Sequence, residues 1–211
     1  MYIAIINYNM GNIKSVENAF IKIGAAIKVT KSPGTIINAD AVILPGVGAF
    51  GDAMKNLERR NLIDMLNYQV IQKRKPFLGI CLGLQLLANT SEEHGLHKGL
   101  GWFDAEVVRF KFRETELKVP HMGWNDIIPE VEHPLFENLG KEHFSFYFVH
   151  SYYISCNKTE SIAASCDYGI KFTAAIFRDN IFATQFHPEK SQDNGIQLLE
   201  NFINWNPNKY A

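Results

Sequence analysis

Three runs in the first eighty residues, YIAII (2–6), AVIL (41–44) and PFLGI (76–80), are apolar at nearly every position. A strand made from any of them has no face to give to water. Strands of that kind belong inside a parallel sheet covered by helices on both sides. The intervening segments agree. GNIKSVENAFIKIG carries Ile13, Val16, Phe20 and Ile23 at helical spacing and stops at Gly24. AIKVT reads as a further strand and 52–73 as one longer helical region. The alternation predicts an α/β fold: an open, mostly parallel twisted sheet with helices on both faces.

The second half changes character. WFDAEVVRF, GWNDII, FSFYFVHSYYI, SIAASC, FTAAIF and IFATQF are strand-like, and helical spacing returns only near 192–203. An antiparallel extension of the same sheet is expected. Without a repeat, a low-complexity tract or a Pro/Gly linker, residues 1–211 are expected to form one domain, long enough to bury a core. A formal net charge of −1 gives no basic groove for nucleic acid. No apolar run approaches the roughly 20 residues that cross a bilayer, and MYIAIINYN enters a strand with no charged leader before it. Three cysteines without paired spacing make no disulfide framework, so a reducing cytoplasm is the expected location. No metal-ligand spacing is present, and neither a metal nor an organic cofactor is expected.

Residues 77–88, FLGICLGLQLLA, set Cys81 between Gly79 and Gly83. The strand ends at the cysteine and LGLQLLANT continues at helical spacing. Glycines two positions to either side are what a sharp strand–turn–helix requires, because the backbone at its apex leaves no room for neighbouring side chains. A helix N-terminus beneath the sulfur would favour the thiolate, which is the attacking species. The plain alternative is a buried cysteine with two incidental glycines.

A nucleophilic thiolate needs a base and something to orient that base. QFHPEKS supplies His187 after a strand and Glu189 two residues on, with Pro188 preventing the strand from continuing. The alternative is an ordinary turn. ILPGVGAFGDAM places Gly46, Gly48 and Gly51 in the dinucleotide pattern G-x-G-x-x-G. However, the next strand ends in Cys81 rather than in an acidic residue, and Pro45 interrupts the approach. The other use of such a turn is an oxyanion hole, where a backbone N–H faces the pocket unobstructed.

GICLG, PGVG and FHPEK, each at a strand end and together with YNMGNIKSVENA (8–19), VPHMGWN (119–125) and YFVHSYY (147–153), resemble the class I (triad) glutamine amidotransferases. Among these the resemblance is to glutaminase subunits of imidazole glycerol phosphate synthases, and it runs from Met1 to the last helix. It implies a Cys81 nucleophile that attacks the side-chain amide of L-glutamine, His187 as acid and base, and Glu189 holding His187. It implies an oxyanion hole from the N–H of Leu82 and the turn at Val47–Gly48, which in this family is thought to need a peptide reorientation. Gln85 would grip the substrate, Glu93 would pair with its α-ammonium, and the backbone at Ser151 and Tyr152 would line the pocket.

The resemblance further implies a heterodimer with a (β/α)8-barrel cyclase that consumes the ammonia, with Asn12, Trp124, Tyr147 and Lys190 at the interface or ammonia exit. Each also has a plain explanation: a helix N-cap for Asn12, core aromatics for Trp124 and Tyr147, a solvated lysine for Lys190. Cys156 and Cys166 read as buried structural thiols, and His121 and His150 receive no chemical role. The family's first loop usually has glycine where this chain has Asn9, one of the few residues that tolerate positive φ. Two rival functions stay open: a paralogous subunit feeding a different synthase, such as one making a modified sugar, and a non-catalytic scaffold.

Overall fold

The computed structural model describes residues 2–112, 117–140 and 143–207. Strands β1 (Ile3–Ile6), β2 (Ile27–Thr30), β3 (Ala41–Gly46) and β4 (Phe77–Cys81) alternate with helices α1 (Ile13–Lys22), α2 (Pro33–Ile37), α3 (Phe50–Arg59) and α4 (Leu62–Leu66). After the single turn α5 (Leu82–Gln85) come β5 (Thr90–Ser91), β6 (His97–Lys98), β7 (Ala105–Arg109), β8 (His121–Pro129) and β9 (Ser145–His150). Then follow β10 (Tyr152–Cys156), β11 (Ile162–Asp167), β12 (Lys171–Arg178), β13 (Ile181–Thr184) and α6 (Gln192–Asn204). No described helix is long and apolar enough to cross a membrane.

Nine strands form one sheet in the order β2-β1-β3-β4-β13-β12-β11-β8-β9. From β2 to β13 neighbours run parallel, and from β13 to β9 antiparallel. The apolar runs occupy its centre: β1, β3, β4 and β13 are buried at every residue. Side chains alternate between two cores. Ile3, Ile5, Ile43 and Leu78 meet α1 and α6 through Phe20, Leu198 and Phe202. Ala4, Ile6, Val42 and Leu44 meet α2, α3 and α4 through Ile36, Leu57 and Leu66. Helices on both faces follow directly from strands that are apolar on both faces.

Three details depart from the sequence expectation. The region 52–73 is not one helix: Asn61 takes a left-handed conformation (φ 53°), ends α3 and starts α4, which widens into a π-type stretch over 67–72. The antiparallel strands do not all extend one sheet. β10-β7-β5-β6 form a separate four-stranded sheet, since Ile154, Val107 and Ala105 pack into the second core instead. Finally, LGLQLLANT gives only one helical turn. Leu84, Leu86, Leu87 and Ala88 are all fully buried, so the segment has no polar face with which to continue as a surface helix.

Candidate active site

Cys81 ends β4 and immediately precedes α5, with φ 54° and ψ −105°, a conformation that costs a non-glycine residue of order 1–3 kcal/mol. The flanking glycines answer to contact rather than to dihedral freedom. A Cβ on Gly83 would lie 1.8 Å from the Leu44 carbonyl oxygen, and one on Gly79 would lie 3.0 Å from both Ala183 Cβ and the Gly83 oxygen. The tight turn therefore presses against strands on both sides.

Sheet register brings the distant segments to the sulfur. Cys81 lies opposite Gly46 of β3, so the Val47–Gly48 turn begins beside it. On the other side Ile80 pairs with Thr184, and the chain leaving β13 as Gln185–Phe186–His187 emerges next to Cys81. Pro188 starts a 3-10 turn that folds Glu189 back beneath His187. His187 Nδ1 is 2.8 Å from Glu189 Oε1, and the side chains are only 2% and 3% exposed. His187 Nε2 is buried and turned away from Glu189, on the side of the ring that faces the Cys81 sulfur. Burial alone would lower the pKa of His187. The charge of the Cys81 thiolate, hydrogen bonding to that sulfur, and the bond and charge of Glu189 outweigh it and push the imidazolium up to about 10. The helical stretch behind Cys81 is a single turn.

The remaining pocket positions are distributed as follows. Leu82 opens α5 directly after the sulfur, and Gly48 holds φ 114° in the exposed turn after β3. Gln85 is buried, with Nε2 donating to the Tyr152 carbonyl (2.9 Å) and to Gln185 Oε1 (3.1 Å), so only its own Oε1 is free to accept from a ligand. Glu93 Oε2 accepts from the N–H of Phe50 at 2.6 Å and serves as the cap that Ala49 cannot supply to α3. The Ser151 carbonyl accepts from Phe110 N–H at 3.1 Å. The dinucleotide pattern dissolves into packing: a Cβ on Gly46 would meet the Tyr8 hydroxyl at 2.3 Å, and one on Gly51 the His97 ring at 2.7 Å. A separate cavity of about 780 Å3, lined by His133, Phe136, Phe177, Asn180 and Trp205 among others, opens at the amino ends of β4 and β13, away from Cys81.

Among the interface candidates, Asn12 is the N-cap of α1, its Oδ1 accepting from Ser15 N–H. Trp124 is not a core aromatic: it is 48% exposed on β8, edge-on to Tyr147 of β9, its register partner. Lys190 Nζ lies 5.7 Å from the centre of the Tyr147 ring, so the three make one surface group. Asn9 adopts φ 66°, the left-handed conformation that asparagine tolerates.

Sequence reasoning passed over three groups. Gln185 is fully buried with Nε2 3.6 Å from Cys81 Sγ. Tyr8, wholly buried beside Gly46, has an unpartnered hydroxyl, and burial followed by the Cys81 charge raises its pKa strongly. His121 and His150 form a buried pair, Nδ1 to Nε2 at 3.2 Å, amid Phe110, Phe148 and Phe172. A glutamine inside the apolar run IFATQF was the available signal for Gln185.

Burial lowers His121 to about 4. For His150 burial dominates too: it outweighs a hydrogen bond to the Tyr152 carbonyl and, helped by the charges of His121 and His187, brings it to about 3. Both start from an unfolded value near 6.5, so below that pH the unfolded chain binds protons the folded chain refuses. Stability is expected to fall as pH drops from 6.5 toward 4, by about 1 kcal/mol per pH unit for each fully buried histidine. His187, raised instead, adds stability that is complete below 6.5 and lost as pH rises toward 10. Urea midpoints at pH 5, 6.5 and 9 should therefore peak at 6.5; equal midpoints at 5 and 6.5 would contradict the buried-histidine account.

The family model "Glutamine amidotransferase class-I" matches residues 4–205. The chain belongs to the class I glutamine amidotransferase family. As a member it is a glutamine amidotransferase, an enzyme that hydrolyses the side-chain amide of glutamine. It is 51% identical over 206 residues to "Imidazole glycerol phosphate synthase subunit HisH" of Sulfurimonas denitrificans, covering 96% of this chain and 98% of that one. It is 50% identical over 201 residues to subunit "HisH 2" of Pseudomonas aeruginosa (95% and 98%) and 47% over 209 residues to that of Nitrobacter winogradskyi (97% and 99%). Among solved structures, a glutamine amidotransferase of Thermotoga maritima superposes with a TM-score of 0.63 at 17% identity, covering 99% of this chain and 87% of that chain. That likeness bears on the fold, which is as the apolar runs require.

Proposed function

We propose that residues 1–211 act as one glutaminase domain, the ammonia-supplying subunit of an imidazole glycerol phosphate synthase in histidine biosynthesis, located in the cytoplasm. The observation that carries this reading is the meeting of Cys81, His187 and Glu189 at the carboxyl end of the sheet, in a chain half identical over nearly its full length to subunits of that name. In the proposed cycle the Cys81 thiolate attacks the amide carbon of glutamine. The oxyanion is met by the N–H of Leu82 and the turned peptide at Val47–Gly48. His187 gives its Nε2 proton to the leaving nitrogen, so ammonia departs and a glutamyl thioester remains. Neutral His187 then takes a proton from water, whose oxygen attacks the thioester, releasing glutamate and returning the sulfur as thiolate. Glu189 holds the ring throughout. Gln85, one oxygen of Glu93 and the backbone at Ser151 and Tyr152 position the substrate.

The partner in this proposal is a (β/α)8-barrel cyclase docked on the face that carries Asn12, Trp124, Tyr147 and Lys190. Coupling has a physical motive, since ammonia released into neutral water is mostly protonated and no longer nucleophilic. Glutamine hydrolysis is expected to be slow for the chain alone and to rise by one to two orders of magnitude when the cyclase barrel and its nucleotide substrate are added. The check is steady-state glutamate release with each component omitted in turn; full activity without the barrel would remove the proposal.

Several relatives are numbered 1 or 2 in their names. The numbering favours keeping a second reading, the same chemistry feeding a different synthase such as one for a modified sugar. Purifying the chain from its own cell extract and identifying what travels with it separates the two. A non-catalytic scaffold has no need of a buried, paired His187–Glu189.

A further inference from the structure

Gln185 is fully buried, lies outside the triad and touches the sulfur, and the hydrogen bonds around it fix which end of its amide does so. The Tyr152 carbonyl can only accept. It is reached by Gln85 Nε2 at 2.9 Å, which settles the orientation of the Gln85 amide. That nitrogen also faces Gln185 at 3.1 Å, so Gln185 must present its oxygen there and its nitrogen to Cys81 Sγ, 3.6 Å away.

The same carbonyl extends the polarity outward. His150 Nδ1, at 2.9 Å from it, must carry the proton, leaving Nε2 to accept. His121 Nδ1 then donates to His150 Nε2 at 3.2 Å, and His121 Nε2 is left as an acceptor toward Asn125 Nδ2 at 3.5 Å, a long contact. Both rings are neutral in this arrangement, as their apolar surroundings demand. Every group along the path has one role only, and the last N–H ends on the nucleophile.

We propose that Gln185 is a positioning residue for the glutaminase reaction: its side-chain N–H donates to the Cys81 thiolate, holds the sulfur in place and favours its charged form before glutamine arrives. Two links set its orientation, the Tyr152 carbonyl and Gln85. The role rests on Cys81 being the nucleophile. Other titratable groups that act on Cys81 are His187, with Glu189 behind it, and Tyr8 beneath the Gly46 turn, and Gln185→Met leaves the side chains of all three in place.

Gln185→Met keeps volume and removes the donor, and Gln185→Glu keeps shape and sets a carboxylate against the sulfur. The experiment follows iodoacetamide alkylation of Cys81 against pH in the full chain, read by mass spectrometry of its peptide. Cys156 and Cys166, pushed by burial to about 11 and about 12, stay silent in the working range. Gln185→Met is expected to move the alkylation midpoint up by about one pH unit, a tenfold slower reaction at any pH below it, and Gln185→Glu further. A folded Gln185→Met with an unmoved midpoint would overturn the proposal. Should neither variant fold, the unmutated chain decides: with 15N-glutamine labelling, one protected carboxamide must shift in step with Cys81 titration, and no such carboxamide overturns it equally. An independent outcome guards the underlying reading, because glutamine hydrolysis surviving in Cys81→Ala would sink the nucleophile assignment whatever residue 185 does.

Discussion

Cys81→Ala is expected to lower glutamine hydrolysis by roughly five orders of magnitude, to the limit of a sensitive assay, while the complex keeps making product from added ammonium salt. Loss of the attacking atom removes the covalent route altogether; what survives is binding and whatever stabilisation the oxyanion turn gives to attack by water. Five orders correspond to about 7 kcal/mol of barrier, far more than any change in folding would supply at one position. The fold should hardly register the change. Alanine carries the same Cβ into the same strained conformation, so the cost already present at φ 54° is neither relieved nor increased. The removed sulfur leaves Gln185 one acceptor short, worth about 1 kcal/mol of stability. Two measurements settle the matter: glutamate release, and synthesis by the complex with ammonia replacing glutamine. Persisting glutamine-driven synthesis would show that another group attacks; loss of ammonia-driven synthesis would show that the change had damaged docking.

The sequence announced the sheet centre and the elbow because each depends on local pattern. A strand buried on both faces must be apolar throughout, as β3 and β4 are, and a turn pressed between two strands must be glycine where it touches them. His187 and Glu189 were legible for a similar reason, being two residues apart with a proline between. What stayed hidden depends on contacts across long separations. Gln185 meets Cys81 from 104 positions away, and the Tyr152 carbonyl that orients it has no side-chain signature at all. The break at Asn61 was missed because the apolar spacing continues through it while the chain turns by a single left-handed residue. Helix length after Cys81 was overestimated because leucine favours helices, yet an unbroken row of buried leucines leaves a helix no exposed side.

The same glycines give the second large effect, one where two ordinary rules predict opposite signs. Gly83 lies in α5, and by helix propensity Gly83→Ala should stabilise by about 1 kcal/mol. Close approach says otherwise. The added carbon would stand 1.8 Å from the Leu44 oxygen, well inside contact distance. That oxygen belongs to β3, which is hydrogen-bonded to its neighbours on both sides and cannot retreat alone. Either α5 lifts off the sheet, dragging Leu82 and the sulfur out of register, or the sheet deforms. The expected loss is more than about 4 kcal/mol, enough to leave a chain of ordinary stability largely unfolded at 37 °C. Gly79→Ala is the internal comparison, because its nearest contacts at 3.0 Å ask for shifts of a few tenths of an ångström and a loss of only about 1–3 kcal/mol. Urea denaturation of both variants beside the parent gives the order directly. If Gly83→Ala proved as stable as the parent, α5 would not be seated against β3, and the geometry that brings an N–H behind the Cys81 sulfur would have to be abandoned.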